Sequence, residues 1–266
     1  MCCDLTNSEW DCDRSFVPWT SLDCDGRVRA NGTALPSDSV HCFARAIFHA
    51  GDYKANKGPW FPVEEEHQFT NDIVEAECRD ANATLYQFLH FQVWRSDRKT
   101  TCREVNDTTA EEKEESSPSP PSVYVIIFDS ISASHGRRRA VFGEENIPED
   151  WQYTNFCRNY LNGKGFIMEE FGKANYTTMM AEDWNLGVFN WPNCLGFKAA
   201  PTTHYMRPFH NRLVKEKPKL LREWMSTAHC MEHHKHLLEY LEKQTQVRTD
   251  MGLVSRPRLR LPPLPR

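Results

Sequence analysis

The rhythm of hydrophobic positions changes near residue 120. Before that point apolar residues come in short alternating runs. The clearest, Leu85-Tyr86-Gln87-Phe88-Leu89-His90-Phe91-Gln92-Val93-Trp94, predicts a strand. Asp25-Gly26, Asn31-Gly32 and Lys57-Gly58-Pro59 are turn signals between the runs. The pattern predicts a small β-rich module over residues 1–105. From 106 to 122 the chain loses its large apolar residues. Glu111-Glu112-Lys113-Glu114-Glu115 leads into Ser116-Ser117-Pro118-Ser119-Pro120-Pro121, a charged, proline-stiffened linker. An α/β pattern follows over residues 123–246. Val123 to Phe128 are six apolar or aromatic residues that stop at Asp129, the mark of a fully buried strand. Gly165 to Lys173 places Phe166, Ile167, Met168 and Phe171 at helix-compatible spacing. Thr177 to Asp183 reads as a second strand ending in carboxylates. Strand, helix and strand predict a crossover unit in a parallel sheet. Lys219 to Gln244 predicts one long helix, with an apolar face from Leu220, Leu221, Trp224, Met231, Leu237, Leu238 and Leu241. Residues 247–266, rich in arginine and proline, are expected to be a disordered basic tail.

Composition narrows the class. A net charge of -5 argues against a nucleic-acid partner for the chain as a whole. No stretch approaches the length of a membrane span. No secretory apolar region follows Met1, since Cys2-Cys3-Asp4-Leu5 is already polar. The 10 cysteines point the other way. None forms a C-x-x-C pair, so neither a zinc ribbon nor a thioredoxin site is indicated. Dispersed cysteines in even number fit disulfides and an oxidising compartment. Cys12, Cys24, Cys42, Cys78 and Cys102 are the expected frame of the N-terminal module, with the pairing open. Sequons at Asn31, Asn82, Asn106 and Asn175 add candidate glycan sites. Together these features predict an extracellular or lumenal protein whose signal peptide is absent from this chain.

Several residues could carry chemistry. Asp129, at the carboxyl end of a buried strand, is well placed to hold a metal or meet a ligand. Asp-Ser is also ordinary turn chemistry. Glu182 and Asp183 could join it around a divalent cation, although a solvated strand end explains them equally simply. His229 and His233 stand at i, i+4 and would share a helix face with His234 and His236 nearby. The sequence is not H-E-x-x-H, and polar positions on an amphipathic helix are the simpler reading. Ser130, Ser132 and Ser134 lie near His135, but no G-x-S-x-G elbow is present. The tail Arg258 to Arg266 resembles a proline-rich SH3 ligand in an imperfect register.

The run Val123 to Arg139 resembles the start of the core in the domain of unknown function 229 family. These are animal ectodomains related to sulfatases and alkaline phosphatases. The matches continue through Phe171 to Thr178, Ala181 to Trp184, Asn190 to Phe197, Pro201 to Phe209, and Cys230 to His234. The resemblance implies a partial alkaline-phosphatase-like or sulfatase-like α/β core preceded by a small cysteine-rich β module. It implies a divalent metal, zinc or calcium, with Asp129 as its ligand. His204 and Arg207 match family positions without an assigned role. The chain departs from the pattern where the nucleophile belongs, since no serine or threonine occurs between Ala140 and Tyr153. The further Asp and His ligands are expected beyond the long helix, where only the Arg/Pro tail follows. The expectation is therefore an incomplete member that is not catalytic as written and does not bind the metal. Full-length relatives would be metal-dependent hydrolases of phosphate or sulfate esters. The alternative is a secreted, non-enzymatic binding or interaction protein. A core lacking internal strands is also expected to leave sheet edges unpaired.

Overall fold

The computed structural model describes residues 12–95, 122–123, 158–183, 194–231 and 233–249. Tyr124–Phe128 of the expected strand, Asp129, the serines that follow it and most of the linker lie outside the described residues. What is described is a mixed α/β structure. The main sheet comes entirely from the N-terminal part: β3 (His41–His49), β4 (Ala55–Lys57), β5 (Phe61–Pro62), β6 (Ile73–Arg79) and β7 (Thr84–Phe91). The strands run in the order β4-β3-β6-β7, all antiparallel, with β5 beside β3. A small hairpin, β1 (Thr20–Leu22) and β2 (Val28–Ala30), precedes it.

The turn of that hairpin shows why Asp25-Gly26 is needed. Gly26 adopts φ 79°, and a Cβ there would run into the Phe69 carbonyl. The Gly26 carbonyl in turn accepts from Phe69 N at 2.7 Å. Only glycine offers both that backbone angle and that approach.

Side chains alternate across β7, and both faces are covered. On one face Tyr86 stacks on Trp19 at 5.2 Å and meets Trp224 edge-on at 4.8 Å. Thr20 Oγ1 is shared there between Tyr86 OH at 3.1 Å and His90 Nε2 at 2.8 Å. On the other face Phe91 packs against Phe209 and Tyr240 at 5.9 and 5.7 Å. Burial on both faces explains why β6 is almost wholly buried instead of alternating.

The second face is covered by the C-terminal part. Its elements are α1 (Ile167–Lys173), β8 (Met179–Met180), β9 (His204–Tyr205), α2 (Arg207–His210) running into a π-helix at Asn211–Lys215, α3 (Lys219–Trp224), a 3₁₀ turn (Thr227–His229) and α4 (His233–Thr249). β8 and β9 pair in parallel. The second strand of the expected crossover is thus present, with β9 as its described partner.

The long helix expected over Lys219 to Gln244 is broken into two. Cys230 sits at φ 57°, a left-handed conformation that no α-helix continues through. Cys230 is disulfide-bonded to Cys12, 218 residues away in sequence. The apolar face differs accordingly. Leu238 is 58% exposed, while Tyr240 and His236 are buried at 0% and 3%. α4 also runs three residues into the segment expected to be a disordered tail.

A single hydrophobic cluster joins sheet residues such as Val74, Ala76 and Leu89 with Met206, Phe209, Leu213, Leu221, Met225 and Tyr240. Residues from both sides of the expected 106–122 linker therefore share one core.

Candidate functional site

The residues with the most chemical potential lie at the seam where the helices meet the sheet. Asp72, just before β6, is its first anchor. Its Oδ2 meets His204 Nδ1 at 2.8 Å and accepts from Tyr240 OH at 2.6 Å. Its Oδ1 accepts the Trp94 backbone N–H at 2.9 Å. Burial and the neighbouring Asp72 charge push the Tyr240 phenol well above its ordinary range. A carboxylate on Nδ1 fixes an imidazole's orientation and leaves Nε2 to act. His204 Nε2 is buried and has no hydrogen bond among the described residues. At 2% exposure the ring is closed to solvent, so its geometry is that of a joint between β9, β6 and α4.

Glu75 is the second anchor. It lies fully buried in the run Ile73-Val74-Glu75-Ala76. Arg212 of the π-helix reaches it with Nε and Nη2 at 3.0 and 2.8 Å, a bidentate pair. Arg45 of β3 adds bonds at 3.0 and 2.9 Å. Arg212 also binds Glu216 at 3.1 Å, and Glu216 holds Lys57 at 2.7 Å. The chain of charges runs from the core to the surface.

Asp52 forms the third. Its Oδ2 accepts the Phe197 N–H at 2.7 Å, and Arg207 Nε donates to its carbonyl at 3.0 Å. Burial raises the Asp52 pKa against these partners. Lys215 donates to the same carbonyl and lies 3.9 Å from the Tyr53 ring centre. Burial and Arg207 bring Lys215 down to about 8.

A cavity of about 250 Å³ lies beside the end of β7, lined by Thr20, Phe91, Met231, His236, Glu239 and Lys243 among others. Burial raises Glu239 and lowers Lys243. His90, also at this cavity, is brought down to about 3 by burial and then by the Lys243 charge.

All three anchors join the N-terminal sheet to one C-terminal segment. Residues 139–253 match the family described as Protein of unknown function (DUF229). The motifs had indicated that family. No curated protein and no solved structure matches the chain. The DUF229 match covers less than half of the chain and contains α1 to α4, β8 and β9. It begins after Asp129, so neither the expected metal ligand nor the sheet lies inside it.

The residues read from sequence fare unequally. Asp129 lies outside the described residues. Among the described residues no three His, Cys, Asp or Glu side chains converge as a metal site. Glu182 offers its backbone carbonyl to His210 Nε2 at 2.5 Å, and Asp183 is exposed. His229 and His233 fall in separate helical segments, so the shared helix face is lost. His229 stacks on Phe16 at 4.2 Å. His236 is buried rather than on a polar face. His204 and Arg207, which had no assigned role, both become joints of the seam. Asp52, Asp72, Glu75, Arg212 and Tyr240 were missed. The one local signal among them was Glu75, a charge inside an apolar run.

Of the expected cysteine frame, Cys42 and Cys78 pair directly across β3 and β6. Cys12 instead pairs with Cys230, and Cys24 and Cys194 are disulfide-bonded as well. No helix among the described residues is long and apolar enough to cross a membrane.

Proposed function

We propose that this chain is a non-catalytic, disulfide-locked protein of the extracellular space or secretory lumen, acting by binding or interaction and built on an incomplete sulfatase-like or alkaline-phosphatase-like core. The observation that carries the reading is the Cys12–Cys230 disulfide, which ties the segment ahead of β1 to the joint between α3 and α4. Such a bond persists in oxidising compartments. Loss of catalysis is supported by the stretch from Ala140 to Tyr153, which lacks any serine or threonine to serve as nucleophile. The resemblance to sulfatase relatives supports ester hydrolysis, with zinc or calcium, for complete members only.

The test is hydrolysis of aryl sulfate and aryl phosphate esters by the purified chain with added zinc or calcium. No turnover above buffer is expected. Turnover that disappears in Asp129→Ala would overturn the reading. Glycans on Asn31, Asn82, Asn106 and Asn175 belong to the same proposal. Asn82 is exposed at the turn between β6 and β7. Expression through a secretory pathway should give a peptide at Asn82 whose mass falls on glycosidase treatment. A secreted chain bare at all four sites would count against it.

A further inference from the structure

We propose that Cys12–Cys230 is a thiol-exchange site whose reduction by a small thiol releases the helical cover from the edge of the sheet, while Cys42–Cys78 stays intact. The two bonds differ in surroundings. Cys42 and Cys78 are 1% and 0% exposed, opposite each other in the middle of the sheet. Cys12 and Cys230 are both partly exposed. Exposure to the attacking thiolate is a principal control on exchange.

The exposed bond closes a strap. Residues 12–19 cross the joint between α3 and α4, where Asp13 N donates to Ala228 O at 2.8 Å and Phe16 stacks on His229. That joint positions the groups that seal β7. Among the described residues β7 is bonded within the sheet to β6 only. Trp224 Nε1 donates to Leu85 O at 3.2 Å, Leu89 N donates to Met225 Sδ at 3.2 Å, and Lys243 Nζ donates to Phe91 O at 2.8 Å. These are alternate residues, the ones whose backbone groups face away from β6. Trp224 and Met225 lie at the end of α3, and Lys243 on α4, on either side of Cys230. An uncovered edge is a template for an added strand.

The exchange balances with two thiols. A thiolate attacks Sγ of Cys12 or Cys230, the S–S bond breaks, and the other sulfur leaves as a thiolate that takes up a proton. A second thiol resolves the mixed disulfide, so the reductant becomes its own disulfide and the protein holds two thiols. Glutathione is a reductant of this class.

The test titrates the full chain with reduced glutathione, traps free thiols by alkylation and locates them by peptide mass. Cys12 and Cys230 should be alkylated about tenfold faster than Cys42 and Cys78. In the same samples, deuterium uptake at Leu85–Phe91 should rise while Ile73–Cys78 stays protected. Parallel reduction of both bonds would overturn the proposal. So would opening of Cys12–Cys230 without change in uptake at β7. Cys12→Ser with Cys230→Ser should show the raised uptake with no thiol added. Should that variant not fold, partial reduction of the wild-type chain decides alone. The compartment gives this response its setting, but failure to be secreted would sink only the extracellular reading, whereas a Cys12–Cys230 bond that resists glutathione would sink only this one.

Discussion

The Glu75 carboxylate is fully buried, which is costly for a charge, and two guanidinium groups offset it. Removing one partner of such a buried cluster leaves the others uncompensated. Glu75→Ala should therefore lose about 3–5 kcal/mol in urea denaturation. Glu75→Leu combined with Arg212→Met and Arg45→Met should recover most of that loss, because the whole cluster is then replaced by apolar volume. A triple variant as unstable as the single one would mean that the ions themselves hold the seam. His90 sets a second expectation. Its pKa is about 3 in the folded chain, against about 6.5 when unfolded. Below pH 6.5 the unfolded chain takes up the proton and the folded chain does not. The stability contributed by neutral His90 is thus full above pH 6.5 and falls as acid is added. The loss should reach about 2 kcal/mol by pH 5. His49, also lowered by burial, adds in the same direction. Asp52 and Glu239, raised by burial, act with the opposite sign nearer the carboxylate range. His90→Gln should flatten the fall in melting temperature between pH 7 and 5. An unchanged slope would assign it elsewhere.

At the scale of elements, legibility follows how local the cause is. β7 and α1 could be read because their own residues carry the period, and the hairpin turn because Gly26 does. The break between α3 and α4 could not: α3 already ends at Trp224, and the joint that follows is bonded to a cysteine 218 residues away. The buried face of α4 was misplaced for the same reason: His236 and Tyr240 are inside because Phe91 and Asp72 are there to receive them. On β7 Trp224, Met225 and Lys243 occupy outward-facing backbone groups. At the far edge Ala55 N donates to Glu216 Oε1 at 3.3 Å. The loop at Gly196 is equally non-local. Gly196 holds φ 61°, and a Cβ there would overlap the Asp52 carboxylate that binds Phe197 N. Gly196→Ala should cost at least about 2 kcal/mol, from left-handed strain and displacement of Asp52. Gly32→Ala, with nothing within 4 Å of the new methyl, should stay within about 0.5 kcal/mol. Equal melting temperatures for the two variants would remove the argument for an Asp52 latch.

At the scale of the molecule, the shared core decides how the chain unfolds. A sheet module that folded by itself would carry its own core and present the helices only a polar face. Here the face of β6 and β7 toward the helices carries Ile73, Leu89 and Phe91, all buried, and the fully buried Glu75. Stripped of α2 to α4, that face would put three large apolar side chains and a carboxylate held by Arg45 alone into water. Arg212, Phe209 and Tyr240 would lose their partners on the sheet in the same step. Neither part has a favourable state without the other, so both should melt together. The disulfide between Cys12 and Cys230 strengthens that coupling by joining the two parts covalently. The full chain is therefore expected to show one thermal transition, with Trp19 and Tyr86 on the sheet side and Tyr240 on the helix side giving the same midpoint. Residues 12–95 expressed alone should bind a hydrophobic dye and melt without a sharp transition, since their sheet has lost its cover. Two separate midpoints in the full chain, or a sharply melting 12–95 fragment, would mean that the core common to both parts does not govern their stability.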